Sequence, residues 1–379
     1  MAAKRLYQEL IDYLLEQINE GNYSYDRPFC TEKQLEEQFQ VSNITAKRAI
    51  TELEQKGLLY RKRGVGSFVA RGIQSPGSSS RNNARIYAAL CPFDISPCNS
   101  MAEMIQVVNA RLNPRHGYVS FYTTDRDKRQ ERKMLQQLLH QSISGLIYYP
   151  NTDEINLDLL EQFFIQGIPV VVLDKSVTAP FVHNVTCDNF EGARQMTDYL
   201  ISKGHIKIAF VSSSGISKLS SVCARLSGYF CAMRKAALPL NQNYVVTRLK
   251  DSVEEYRPIP SEEQKERICQ LLTYFLENGV TAVECENDGL ADTMLNCCQK
   301  LSIRVPEDLS ISGFDGRSPK LGEAQFITTV FQNEGAIAEQ VADILLRTMD
   351  ADLPRGETYR TPIELQIGGS TGVCCKQRR

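Results

Sequence analysis

Apolar residues recur along most of the chain in two alternating rhythms. Short runs rich in Val, Ile, Leu and Tyr read as buried strands, and the segments between them space their apolar positions as amphipathic helices do. Strands are expected at Arg85 to Leu90, Tyr118 to Tyr122, Gly145 to Tyr149, Ile168 to Leu173, Ile206 to Val211, Tyr244 to Leu249, Ala282 to Cys285 and Leu309 to Ser312. Helices are expected at Met101 to Leu112, Arg129 to His140, Leu157 to Ile165, Glu191 to Ser202, Ala224 to Ala236, Ser261 to Asn278, Gly289 to Leu301 and Glu334 to Met349. Strands separated by crossover helices make parallel sheets covered on both faces, an α/β architecture. The number of units fits either a closed barrel or two doubly wound lobes. In open sheets of this kind ligands sit beyond the carboxyl ends of the strands, so the residues that follow each strand hold the candidate chemistry.

The first 70 or so residues are patterned differently. Leu6, Leu10, Tyr13, Leu14 and Ile18 lie at helical spacing. Thr31 can cap a second helix over Glu32 to Gln38, and Ser42 can cap a third over Asn43 to Lys56. In the third, Ala46, Ala49, Ile50 and Leu53 form a buried stripe, while Asn43, Ile44, Lys47, Arg48 and Thr51 face outward. Leu58 to Val69 reads as two short strands around the turn Arg63-Gly64-Val65-Gly66. Small residues on one face and cations on the other are the layout of a helix-turn-helix, and the hairpin is its wing. In that layout Arg61, Lys62 and Arg63 meet phosphates or the minor groove, and Gly64 and Gly66 let the backbone approach DNA closely.

Composition changes this picture in two places. The run Gly72 to Ala84, rich in Ser, Gly and Asn, cannot form a core and reads as a flexible linker between a head (1–71) and a body (85–379). A chain of 379 residues has room for both. The net charge of -2 offers no bulk attraction to nucleic acid or membrane. Its distribution does: residues 1–42 hold 4 basic and 8 acidic side chains, whereas residues 43–72 hold 7 basic and 2 acidic. The positive charge is concentrated on the third helix and the wing.

Catalytic signatures are missing. There is no Gly-x-x-x-x-Gly-Lys-Ser/Thr or His-Glu-x-x-His, and the histidines at 116, 140, 183 and 205 lie in separate segments. Neither an enzyme, a metal site nor a cofactor is expected. The twelve cysteines include no Cys-x-x-Cys, and they read as reduced residues packed like small hydrophobes, with a redox role for an adjacent pair (Cys297-Cys298 or Cys374-Cys375) as the alternative. No apolar run reaches the roughly 20 residues that cross a bilayer, and the first residues lack a secretory apolar core, so a cytoplasmic protein is expected.

The head resembles the GntR family of winged-helix regulators over roughly residues 5 to 70. The matching motifs are Thr31-Glu-Lys-Gln-Leu35, Val41-Ser-Asn-Ile-Thr-Ala-Lys-Arg-Ala-Ile50, Leu53-x-x-x-Gly57-Leu58 and Gly64-Val-Gly-Ser-Phe-Val69. The resemblance implies DNA contacts at Lys33, Ser42, Asn43, Thr45, Lys47, Arg63, Gly64 and Gly66. Arg is common in the family where this chain has Lys33, Asn43 and Lys47. Arg forks onto guanine and Asn prefers adenine, so a shifted operator sequence is expected.

In the body, polar residues follow the strands: Cys91-Pro-Phe-Asp94, Asp174-Lys175, Glu286-Asn287-Asp288 and Gly313-Phe-Asp315. Carboxylates, an amide and an Arg suit sugar hydroxyls, and an aromatic suits the apolar sugar face. With Gly167-Ile-Pro-Val-Val-Val-Leu-Asp174, Val185-x-x-Asp188-Asn-x-x-Gly192, Arg225-x-x-Gly228-Tyr229 and Val305-Pro-Glu-Asp-Leu309, the body resembles the LacI/GalR-type sensor domain. That resemblance implies the two-lobed, doubly wound fold of periplasmic sugar-binding proteins. It also implies effector contacts from Phe93, Asp94, Asp174, Arg225, Asn287 and Asp315, with Tyr256 stacking in place of a Trp that this chain lacks. A transcriptional repressor follows, with double-stranded operator DNA and a sugar as partners, acting as a homodimer. A sugar receptor or a sugar-processing enzyme is the alternative.

Overall fold

A computed structural model of the chain describes residues 2–19, 28–55, 58–62, 65–69, 84–93, 101–152, 155–213, 219–247, 249, 261–316, 327–349 and 355–374. They fall into two compact units, Met1–Asn83 and Ala84–Arg379. The expected linker apart from Ala84, and the expected site residues Arg63, Gly64, Asp94 and Tyr256, lie outside the described residues.

The first unit contains α1 (Ala2–Asn19), α2 (Glu32–Phe39), α3 (Asn43–Gln55), β1 (Leu59–Lys62) and β2 (Gly66–Val69). Leu10, Leu14 and Ile18 of α1 meet Leu35 of α2 and the stripe Ala46, Ala49, Ile50 and Leu53 of α3, with Leu59 and Val69 of the hairpin closing the core. Thr31 and Gln34 form a reciprocal capping box at the start of α2. At α3 the Ser42 hydroxyl accepts from the Thr45 backbone N–H at 3.3 Å. The hairpin is antiparallel, with Leu59 opposite Val69, and a bridge from Ser67 to Cys30 ties it to the segment before α2.

The second unit is two lobes and not a barrel. The first lobe begins β3 (Arg85–Cys91), α4 (Met101–Leu112), β4 (Gly117–Thr123), α5 (Lys128–Leu139), β5 (Gly145–Tyr148), α6 (Leu157–Ile165), β6 (Val170–Leu173) and β7 (Val182–Cys187). The second comprises α7 (Asn189–Ser202), β8 (Ile208–Val211), α8 (Ser220–Lys235), β9 (Val245–Val246), α9 (Glu262–Glu277), β10 (Ala282–Cys285), α10 (Asp288–Lys300), β11 (Ser310–Asp315) and β12 (Thr328–Gln332). The chain then adds α11 (Glu334–Arg347) and β13 (Thr358–Thr361) to the first lobe and β14 (Ile363–Gln366) to the second. The two sheets run β13-β7-β6-β5-β3-β4 and β14-β12-β11-β10-β8-β9, parallel throughout except for the antiparallel pair β12 and β14. The backbone therefore passes between lobes three times, at Asp188, Asn333 and Pro362. Asp188 and Asn333 cap α7 and α11, and the Asp188 N–H donates to the Thr361 carbonyl at 3.1 Å, joining the first crossover to the third.

Every expected strand is present, but Tyr244 to Leu249 is shortened to β9, because Tyr244 closes a single 3-10 turn. Four strands were not expected: β7, β12, β13 and β14. Their side chains are too polar for an apolar-run reading, yet the polar atoms are satisfied inside the fold. The Asn184 amide both accepts from Val177 N at 2.8 Å and donates to Val177 O at 3.0 Å. Thr329 donates to Asp288 at 2.6 Å, and Thr328 to the Gly368 carbonyl at 3.1 Å. The adjacent Cys297 and Cys298 are buried in the second lobe's core, and burial pushes both thiols up to about 12, which leaves them unreactive.

Two core features generate tests. Helices α7 and α8 cross at Gly228, where a Cβ would collide with the Phe190 carbonyl and lie 2.9 Å from the Arg194 backbone nitrogen. Both obstacles are backbone, so Gly228→Ala should destabilise the body by about 1–3 kcal/mol, read as a lower urea midpoint at unchanged slope. Glu284 lies on β10 in the middle of its sheet, and burial pushes its carboxyl up to about 8 against the opposing hydrogen bond from the Thr197 hydroxyl at 2.6 Å. Between the unfolded value of 4.5 and about 8 the folded chain holds one proton more than the unfolded chain, so stability falls as pH rises through that window. Glu284→Gln should flatten this fall, and paired urea titrations at pH 5 and pH 8 measure it; an unchanged pH dependence would refute the assignment.

Candidate functional site

On the first unit, α3 presents the expected outward face. Asn43, Ile44, Lys47 and Arg48 are exposed, with Ile44 79% exposed at its centre. A bare isoleucine among polar groups suits contact with a thymine methyl. Ser42 and Thr45 share a hydroxyl bond of 2.9 Å at the N-terminus of α3, and Lys33 on α2 is exposed, 4.0 Å from Glu37. The Asn43 amide donates to Glu36 at 2.6 Å, so it must exchange that partner to reach a base.

Three expected residues have internal occupations. Arg61 donates to the Lys47 carbonyl at 3.2 Å and the Thr51 hydroxyl at 3.0 Å, and pairs with Glu54 at 3.3 Å and Glu32 at 3.8 Å. It fastens the wing to α2 and α3. The Arg48 guanidinium lies 5.1 Å from the Tyr7 ring of α1. Gly66 has φ +140, and a Cβ there would be 2.9 Å from Pro28 Cβ and 3.2 Å from the Cys30 carbonyl. The structure thus requires glycine at 66 for packing, before any approach to DNA is considered. Lys62, by contrast, lies over Phe68 at 4.7 Å with its side chain on the exposed part of the hairpin.

In the second unit a cleft of about 810 Å³ opens at the carboxyl ends of both sheets. Five expected residues line it together: Phe93 after β3, Asp174 after β6, Arg225 on α8, Asn287 after β10 and Asp315 at the end of β11. Arg225 is nearly fully buried. Its guanidinium donates to Asn189 at 2.8 Å, to the Glu286 carbonyl and to Asp315 at 3.2 Å, and stacks 3.7 Å from the Phe314 ring. Burial alone would weaken its hold on its proton, but the Asp315, Asp174 and Glu286 charges outweigh that and keep it cationic. Asp315 also accepts from Gln332 at 2.6 Å. Asp174 is paired with Lys175; burial would raise its pKa, yet Lys175 and Arg225 hold the carboxyl down at about 2. Asn287 caps α10 through its oxygen, which accepts from Leu290 at 2.9 Å, leaving its NH₂ as what it offers the cleft.

Backbone strain points to the same place. Among the described residues, eight non-glycine positions have positive φ, and four of them, Asp125, Arg126, Asp174 and Asp315, line this cleft. Such conformations cost about 1–3 kcal/mol each and gather where a side chain must be aimed.

Sequence reading missed several lining residues. Tyr149, whose ring stands edge-on to Phe93 at 5.3 Å and 5.7 Å from Lys175, follows β5; the strand-end rule pointed to it. Gln332 ends β12, which was not recognised as a strand, and Arg126 sits on the turn after β4. Asn189 was hidden because its role depends on the packing of α7 against α8. Together, two carboxylates, a guanidinium, amides and an aromatic pair can bind adjacent hydroxyls and one apolar face.

Comparison with known proteins agrees with this geometry. Residues 6–69 match the gntR family of bacterial regulatory proteins, and residues 197–371 match the periplasmic binding protein-like domain. Arabinose metabolism transcriptional repressors of Geobacillus stearothermophilus and Halalkalibacterium halodurans are each 26% identical to the chain; the alignments cover 91% of both chains for the first, and 85% of this chain and 83% of the relative for the second. A LacI family transcriptional regulator from Enterococcus faecium, solved with bound ribose, shares the fold at a TM-score of 0.60 and 23% identity, over 76% of this chain and 99% of its own. These relatives are regulators, and no helix among the described residues is long and apolar enough to cross a membrane. A winged helix whose cationic face is open and a two-lobed body with a cleft thus coincide with a head that matches the gntR family of bacterial regulatory proteins and a body that matches the periplasmic binding protein-like domain, the combination of a DNA-binding head with a sensor-type body.

Proposed function

We propose that the chain is a cytoplasmic, homodimeric repressor of carbohydrate-utilisation genes that releases its operator when a sugar closes the cleft. The observation that carries this reading is the placement of the cleft across the crossovers at Asp188, Asn333 and Pro362. A ligand held by Phe93, Asp174 and Lys175 of one lobe and by Arg225, Asn287 and Asp315 of the other contributes binding energy only when the lobes approach. Such a ligand shifts DNA affinity by the difference in its affinity for the two lobe arrangements. The head, residues 1–71, supplies the operator contacts through Lys33, Ser42, Asn43, Thr45, Lys47 and the wing, and two heads on a near-palindrome follow from two-fold symmetry.

Operator duplexes selected from a random pool by the full-length chain test the reading. Specific binding should weaken steeply between 50 and 200 mM salt, and Lys47→Ala, which removes one phosphate contact from each of the two heads, should reduce the log–log salt slope by about 1.8. Deleting residues 1–71 should abolish operator binding while a sugar still raises the melting temperature. A sugar at 100 times its dissociation constant adds about 2.7 kcal/mol and should release the duplex in an anisotropy titration. Weak, salt-independent association with every duplex would refute the proposal, as would turnover of the sugar.

A further inference from the structure

Among its described residues the head leaves two large apolar side chains bare: Ile44 on α3, 79% exposed, and Val65 in the turn of the hairpin, 54% exposed. Neither belongs to the core of the first unit. Both lie on the elements whose cations are expected to meet DNA, but the two elements meet different surfaces of a duplex. A wing touches phosphates or the minor groove, where thymine shows only an acceptor oxygen. A recognition helix lies in the major groove, where thymine carries its methyl group. Helix stability does not account for the isoleucine, because a β-branched residue is a poorer helix former than the Lys, Arg or Gln common at exposed positions.

The polar side chains around Ile44 are already bonded within the protein. The Ser42 and Thr45 hydroxyls bond each other at 2.9 Å, and the Asn43 amide donates to the Glu36 carboxylate at 2.6 Å. Further along the helix, the Thr51 hydroxyl donates to the Lys47 carbonyl at 2.8 Å and accepts from Arg61 at 3.0 Å. The Arg48 guanidinium stands over the Tyr7 ring. A base that takes up any of these groups replaces an existing interaction, so the exchange gains little. An apolar side chain that leaves water gains outright, since no bond is given up. Lys47, three residues on from Ile44 and therefore its neighbour on the helix surface, is exposed and offers a point charge suited to phosphate.

We propose that Ile44 is a specificity-determining residue of the operator contact, reading a thymine by packing on its 5-methyl group in the major groove. This rests on the DNA-binding reading above and names the base chemistry on which that binding depends. Phosphate contacts from Lys47 position α3 and carry no sequence information, whereas the methyl contact discriminates. Two heads on a near-palindrome place one such thymine in each half-site.

The test uses the full-length chain and a duplex that it selects from a random pool. Each thymine of a half-site is replaced in turn by uracil, which keeps every hydrogen-bonding group and deletes only the methyl, and affinities are read by anisotropy at one salt concentration. Uracil at the contacted position should weaken binding about fourfold, and at both symmetry-related positions about 15-fold, the effect of one buried methyl per head. In Ile44→Ser the penalty for a single uracil should fall below about twofold, while Ile44→Val, which keeps an apolar surface at the site, should retain most of it. Because each penalty is a ratio between two duplexes bound by the same variant, a loss of folded protein cancels. A selected duplex in which no thymine is sensitive to uracil, or a penalty that persists in Ile44→Ser, overturns the assignment and leaves the DNA-binding reading standing. Failure to select any duplex removes that reading, and the assignment with it.

Discussion

The guanidinium of Arg225 is a full charge with almost no access to water. Removing such a group from solvent costs several kcal/mol, and a fold retains it only by surrounding it with acceptors. Here the acceptors come from three segments: the Asp315 carboxylate and the Phe314 ring at the end of β11, the Asn189 oxygen at the start of α7 and the Glu286 carbonyl after β10. Each has to be where it is for the charge to be tolerated. One side chain on α8 thereby fixes the carboxyl edge of the second lobe and the mouth of its first crossover. The same bonds that stabilise Arg225 also orient Asp315 at the edge of the cleft.

Much of this was legible in the sequence because apolar runs and strand-end residues are local signals. The βα alternation predicted the body's layers, and the strand-end rule led to Phe93, Asp174, Asn287 and Asp315. The strands β7, β12, β13 and β14 were not legible, since their Asn, His and Thr side chains look like loop residues until their partners are known. Asn184 reads as a turn former, but in the fold it bonds Val177 twice and lies buried. Choosing between a barrel and two lobes depended on those strands, and so did Gln332. The contributions of Tyr149, Lys175 and Arg126 depend on aromatic and ionic neighbours brought from distant segments.

The head shows the opposite balance. Its helices, caps and apolar stripe are local and were all readable, whereas the roles of its cations were not. Arg61 counts as a basic wing residue in the sequence, but four bonds turn it inward to join the wing to two helices. Gly66 likewise answers to Pro28 and Cys30 before it answers to any ligand. Net charge, which is close to zero for the whole chain, carries still less information than the position of each cation.

The lobes of the body are joined by three separate threads, through Asp188, Asn333 and Pro362, and two of them are bonded to each other. Three connections between the same two lobes restrain twisting and sliding more than one connection would. A single peptide-bond cut at any one of them would leave two connections, so the halves of a nicked chain would remain joined. Evolutionarily, this makes the body tolerant of insertions in its outer loops, while a one-residue insertion in any crossover would have to be matched in the other two.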